Sequence, residues 1–256
     1  MTAIPSQSGL VRAITFVLVK DSLTAGRRVY KTTLRPAIIG RRAQEGAHQR
    51  SDALPLRVDA VAEGIVLAAG RSTRSGGGSK LGFPYGGASM LELSVSSLAH
   101  ACTRVHVVTG SNPSYAEALL AGIEKAHPVF NPDYEKGMLS SILAGLRAVT
   151  EERCFILPAD CPLVCRDVPE RMLDIDAEAV IPEYLGQPGH PVLIGRKAMH
   201  LLTLGAPYET LRDFLLSMDP VYMETDCPGI LSDIDTQEEY AASLGLYQAL
   251  KEGGKL

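Results

Sequence analysis

Two regimes of apolar patterning divide the chain. From Gly64 onward, short apolar runs alternate with stretches whose apolar residues recur every three or four positions. These are the signatures of buried strands and of helices with one apolar face. Ile65–Ala68 is a run of strand length. Met90–His100 sets Leu91, Val95 and Leu98 on one helical face, Val105–Val108 reads as a strand, and Tyr115–Lys125 as a helix started by Pro113. A short strand at Val129–Phe130, a helix over Met138–Val149 carrying Ile142, Leu146 and Val149, and a strand at Cys154–Leu157 follow. Later come strands at Val180–Ile181, Val192–Ile194 and Val221–Glu224, with helices near Arg196–Leu202, Glu209–Ser217 and Gln237–Tyr247. Such alternation predicts an α/β domain, a mostly parallel sheet with helices on both faces. No internal repeat is visible.

Residues 1–60 do not share this rhythm. Ala13–Val19 and Val29–Leu34 suggest strands, and the basic, polar segment Gly40–Asp52 lacks periodicity and reads as a linker or disordered arm. We therefore expect an N-terminal extension of unassigned role over 1–60, one domain over 61–248, and a flexible tail over 249–256. Charge follows the same division: the net charge is -4, with residues 1–60 at +6 and the remainder at -10. An acidic body argues against a nucleic-acid partner. The longest early apolar run, Ala13–Val19, is bounded by Arg12 and Lys20 and falls short of the ~20 residues of a membrane span or of a signal-peptide core with its cleavage site. Five scattered cysteines, an odd number, point to a reducing compartment rather than a disulfide framework, and so to the cytoplasm. Cys161 and Cys165 are the only close pair and lack the further ligands a zinc site needs.

The richest stretch is Gly64–Lys80, GIVLAAGRSTRSGGGSK. A buried strand runs into a loop with Gly70, Gly76, Gly77 and Gly78, the cations Arg71 and Arg74, and a closing Lys80. Glycines let backbone N–H groups approach an anion, and the cations beside them hold its charge. The loop is not a Walker A loop, because Lys80 is followed by Leu81, and it lacks the GxGxxG of a dinucleotide fingerprint. Further on, Asn131–Ser141 (NPDYEKGMLSS) leads into a helix, with Gly137, Ser140 and Ser141 at its start, either an anion site or a capped helix start. Asp160, in PADCPLV, follows a strand and so lies on the same edge as the glycine loop, where a carboxylate can reach a phosphate-bridging metal. Asp233 and Asp235 form a second carboxylate pair; Asp235 either binds metal or caps the next helix, where a Thr236–Glu239 capping box is equally open. His190, in GQPGHPV, reads as an exposed, held loop residue, a substrate ligand or a backbone-bonded histidine.

In this order, LAAGRSTR with Lys80, NPDYEKGMLSS, PADCP, GHPVLI and DIDTQEEY resemble the molybdenum cofactor cytidylyltransferase branch of the MobA-like nucleotidyltransferases, from about Gly64 to Leu244. GHPV, DIDT and Ala69, in place of the glycine of LAGG, favour that branch over the guanylyl one. The resemblance implies the three-layer α/β/α, Rossmann-like nucleotide-diphospho-sugar transferase fold. It also implies transfer of CMP from CTP to the phosphate of molybdopterin, with Mg²⁺ as cofactor and a molybdenum hydroxylase as possible client. By carry-over, Leu67, Ala68, Ala69 and Gly70 line the base. Arg74, Gly76 and Lys80 hold the triphosphate, with Ser140 and Ser141 also on the nucleotide. Asp160 and Asp235 hold the metal, while Gly137 and His190 face the acceptor. Arg74, Lys80 and Asp160 are the expected catalytic residues. Ser75 replaces the family's usual bulky apolar residue, and the segment before Lys80 is one residue longer than the family spacing. A guanylyltransferase, another transferase of the fold, and a non-catalytic cofactor-binding accessory protein are the alternatives.

Overall fold

The computed structural model describes residues 61–70, 79–205 and 208–256, together with the backbone of two short strands, Leu18–Lys20 (β1) and Tyr30–Thr32 (β2). The chain divides into two compact units, Met1–Leu54 and Pro55–Leu256. In the first, β1 and β2 pair antiparallel, with Val19 opposite Lys31. The segment Gly40–Asp52 lies outside the described residues.

The second unit opens with β3 (Glu63–Ala68). After it come a small ribbon, β4 (Pro84–Tyr85) with β5 (Ala88–Ser89), then α1 (Met90–Ala99) and β6 (Val105–Thr109). α2 (Pro113–Leu119), β7 (Ala126–Phe130), α3 (Met138–Leu146), β8 (Arg153–Pro158) and α4 (Asp167–Leu173) follow. The rest comprises β9 (Ala179–Tyr184), β10 (Gln187–Pro188), β11 (Val192–Gly195), α5 (Arg196–Thr203), α6 (Leu211–Ser217), β12 (Val221–Glu224) and α7 (Gln237–Glu252).

These strands form a mixed, mostly parallel sheet. β3 lies between β6 and β8, parallel to both, and β7 runs parallel beyond β6. β11 is antiparallel to both β8 and β9, and β12 lies parallel along β9. The reversal comes from a two-residue hairpin: Leu185 and Gly186 both have positive φ (51° and 77°), the geometry of a primed turn that matches strand twist.

Alternate residues of each strand feed two cores. Val66, Val107 and Phe155 pack with α1, α4 and α7 through Leu91, Val95, Met172 and Leu250. Ile65, Val108 and Ile156 pack on the other face with α3, α5 and α6 through Ile142, Ala198 and Phe214. The sequence expectation of a three-layer α/β/α fold holds. No helix among the described residues is long and apolar enough to cross a membrane.

Several local expectations change. The helix expected over Tyr115–Lys125 stops at Leu119, because the chain turns through Gly122 at φ 93° into a longer β7. Helix α4 escaped the sequence reading because Pro169 interrupts it, yet the proline sits in the first turn, where no intrahelical bond is lost. Residues 249–256, expected as a flexible tail, comprise the end of α7 and a docked turn. Leu250 is buried, and the Lys255 carbonyl accepts from the Arg166 N–H at 2.9 Å. Cysteine count also misled: Cys165 and Cys227 form a disulfide across 62 residues of sequence, a pairing set by the approach of two distant loops. Among the described residues, the potential metal-ligand cluster contains carboxylates only.

Candidate active site

The parallel strands β3, β6 and β8 end on one edge, and three backbone segments are bound together there. The Ala159 N–H donates to the Leu67 carbonyl at 3.1 Å, and the Ser111 hydroxyl donates to the Gly70 carbonyl at 2.9 Å. Ala68 and Ala69 are buried, so Leu67–Gly70 forms a fixed backbone floor. Gly110 permits this approach: a Cβ there would stand 2.7 Å from the Ala69 carbonyl oxygen and 2.6 Å from the Tyr134 Cβ. The loop residues Arg74 and Gly76, expected at the phosphates, lie outside the described residues, as does Arg71.

Lys80 re-enters this edge on a short 3-10 turn, Lys80–Gly82. Its ammonium donates to Asp160 Oδ2 at 2.7 Å, to Asp235 Oδ1 at 2.8 Å and to the Ile234 carbonyl at 3.2 Å. The two carboxylates come from loops 75 residues apart in sequence, tied by a backbone bond from the Ile234 N–H to the Asp160 carbonyl at 3.0 Å. Burial pulls the Lys80 ammonium's pKa down, but the charge of Asp160 and the bonds to both aspartates outweigh it, and the net value is raised. Asp235 is therefore not the helix cap; Thr236 is, in a reciprocal capping box with Glu239 that also draws Glu239 onto the Asp235 N–H.

Asp233 joins Asp160 and Asp235, with one carboxylate oxygen from each within 4.8 Å of the others. The sequence offered Asp233 only as half of a pair; its convergence with Asp160 depends on the loop tie. An all-oxygen, carboxylate-rich donor set is what Mg²⁺ and similar hard dications take, so these residues fit the metal that the sequence resemblance implies.

The other expected residues fall around this centre. Gly137 has φ 101° and is the N-terminal cap residue of α3. Ser140 and Ser141, expected on the nucleotide, both accept from the buried Asn131 amide at 3.0 Å, and the Ser140 hydroxyl donates to the Asp133 carbonyl at 2.8 Å. Their hydroxyls thus fasten the loop onto the sheet end, a role for Asn131 that its place in the sequence did not reveal. His190 is half-buried rather than exposed. Its N–H donates to the Ile230 carbonyl at 2.9 Å, and its Nδ1 is buried without a hydrogen-bond partner among the described residues. Burial pushes the His190 pKa down, against an opposing pull from the Asp160 charge. Cys161 is buried and its thiol is pushed well up by that burial, so it is no nucleophile at neutral pH.

In sequence a glycine-rich segment follows the first parallel strand, and Lys80 beyond it meets two carboxylates at the sheet edge. A model of the MobA-like NTP transferase domain matches residues 64–221. The chain belongs to this family.

Among relatives of this MobA-like NTP transferase, the molybdenum cofactor cytidylyltransferase of Escherichia coli (strain K12) is 28% identical over 184 residues, 72% of this chain and 95% of that protein. The molybdenum cofactor guanylyltransferase of Rhodopseudomonas palustris (strain HaA2) is 34% identical over 139 residues, 50% of this chain and 62% of that protein. A crystal structure of Rv0371c from Mycobacterium tuberculosis H37Rv shares the fold, with a TM-score of 0.64, 22% identity, and coverage of 72% of this chain and 97% of that one. The same protein has also been crystallised in complex with manganese, and that structure matches with a TM-score of 0.59 and 20% identity over 72% of this chain and 98% of that one.

Proposed function

We propose that this MobA-like NTP transferase moves CMP from CTP to the terminal phosphate of molybdopterin or its molybdenum-loaded form, releasing pyrophosphate. The observation that carries this reading is the convergence of Lys80, Asp160 and Asp235 beside the Leu67–Gly70 backbone floor. The cytidylyl choice is supported by Ala69 and by the relative of that activity, which aligns over 95% of its length.

In this reading a phosphate oxygen of the acceptor attacks the α-phosphorus of CTP. The new P–O bond forms as the bond to the bridging α–β oxygen breaks, and pyrophosphate leaves with that electron pair. The attacking phosphate is already ionised near neutral pH, so no general base is required, in keeping with the inert Cys161. Positioning and charge neutralisation carry the rate. The backbone of Leu67–Gly70 lines the base, while Lys80 and, from the adjoining loop, Arg74 and Gly76 meet the phosphates. Ser140 and Ser141 shape the nucleotide side by holding the Asn131 loop, and Gly137 and His190 border the acceptor. Asp160 and Asp235, with Asp233 beside them, hold Mg²⁺, which when bound neutralises phosphate charge and polarises the phosphorus. The enzyme would act in the cytoplasm, and a molybdenum hydroxylase would take its product.

The test is Mg²⁺-dependent pyrophosphate release with molybdenum cofactor present, comparing CTP, GTP, ATP and UTP. Release with CTP alone supports the proposal, and release with GTP alone moves the protein to the guanylyl branch. Binding of nucleotide without any release would replace the enzyme reading with that of an accessory protein.

A further inference from the structure

The Lys80 ammonium sits against two of the three carboxylates that would hold a metal. It contacts one oxygen of Asp160, one of Asp235 and the Ile234 carbonyl oxygen, at 2.7, 2.8 and 3.2 Å. Its side chain is only 14% exposed, and the carboxylates 22% and 24%, so bulk water screens these ion pairs weakly. An ammonium in that place cannot also grip a triphosphate, and a dication cannot settle between the same oxygens while the ammonium stays.

Resting on the reading that Asp160 and Asp235 are metal ligands and Lys80 a phosphate ligand, we propose that Lys80 is a resident counter-ion which metal and nucleotide displace together. The triphosphate draws the ammonium off the aspartates, and the metal takes the oxygens it leaves. Before the exchange, the Lys80 ammonium faces Asp160 and Asp235; afterwards a dication faces them together with Asp233, and the ammonium faces the polyanion. Each ligand alone must break the Lys80 pairs without the other's help. Binding of one therefore favours the other, and linkage makes the benefit equal in both directions. The free enzyme has little hold on metal, and the loaded site assembles in one step.

The proposal assigns opposite signs to the two halves of the site in a single variant. Lys80→Met removes the competing ammonium from Asp160 and Asp235, so Mn²⁺ alone should bind about tenfold more tightly than to the unaltered protein, while CTP in the presence of EDTA should bind about tenfold more weakly, within the usual range of site–site coupling. Lys80→Arg, which keeps the charge, should leave Mn²⁺ binding weak. The experiment is a titration of the full chain with Mn²⁺, followed by the electron paramagnetic resonance of the free ion. Circular dichroism confirms that the variants are folded, and labelled CTP is measured by equilibrium dialysis. If Lys80→Met binds Mn²⁺ no better than the unaltered protein, the exchange is overturned while the metal site stands. If Mn²⁺ binding is also indifferent to Asp160→Asn, the metal assignment beneath it falls as well, and the proposal falls with it.

Discussion

Asp235 and His190 show how much a single side chain's meaning depends on its neighbours. The sequence left Asp235 between metal ligand and helix cap; Thr236 takes the cap, and the Asp235 carboxylate turns to Lys80. On the proposed function, Asp235→Asn should lower turnover about 10²- to 10³-fold, the several kcal/mol a catalytic metal contributes, with little change in melting temperature. Steady-state pyrophosphate release and a thermal melt check both halves. His190 read as exposed because its flanking glycine and proline signal a loop. In the fold, Gly189 packs so closely on Ile230 that a Cβ there would lie 2.4 Å from the Ile230 carbonyl oxygen, and the histidine is drawn in. Its folded pKa lies below the ordinary 6.5, so the unfolded chain takes up the proton first as pH falls. The stability linked to neutral His190 is complete above about pH 6.5 and is lost as pH drops from there toward the folded value. Melting temperatures between pH 7.5 and 5 should fall less steeply for His190→Gln; equal slopes would remove this assignment. Lys80 and Asp160 were legible from motif order, because both follow strand ends. Asp233 and Asn131 were not, since their partners lie 73 and about 10 residues away and nothing local marks the contact.

Elements were legible where periodicity is strong and less so where direction matters. α1 and α7 announce themselves by apolar spacing and by capping boxes at Ser89–Glu92 and Thr236–Glu239. The antiparallel course of β11 has no such mark, because a buried strand has the same composition whichever way it runs. At the opposite end of β3 from the site, Glu63 is buried and accepts from His106 Nε2, the Thr150 N–H and the Thr150 hydroxyl, each at 2.9 Å. This network ties β3, β6 and the segment entering β8. Burial raises the Glu63 pKa, but the bonds from His106 and Thr150 lower it further, leaving it below the ordinary value. Glu63→Ala strands those donors and should cost about 3 kcal/mol in a urea titration, with nucleotide affinity unchanged. A cost below about 1 kcal/mol would mean that water replaces the carboxylate.

At the scale of the molecule, the second unit holds the whole mixed sheet, both cores and every described site residue. The Cys165–Cys227 bridge closes a loop containing β9 through β12, the part of the sheet whose direction the sequence concealed. On the chain-entropy account, a loop of this length contributes about 4 kcal/mol. Dithiothreitol should accordingly lower the melting temperature of the unaltered protein and leave that of Cys227→Ser unmoved. An equal response from both proteins would show that the bridge is not formed in solution. The fold class was readable from the alternation of two periods, because that pattern records which faces are buried. The cross-link was not, because it depends on the meeting of loops far apart in sequence.

The backbone bond from Ile234 to Asp160 also has a temporal meaning. Every described strand of the sheet precedes Asp233 and Asp235 in the chain. During synthesis, the strands and most of both cores can therefore emerge from the ribosome while Asp160 still lacks the carboxylates that complete its site. A message cut short after Glu224 would encode every described strand of the sheet but neither Asp233, Asp235 nor the α7 face of the first core, so the carboxylate cluster and the packing that supports it are among the last parts the nascent chain acquires.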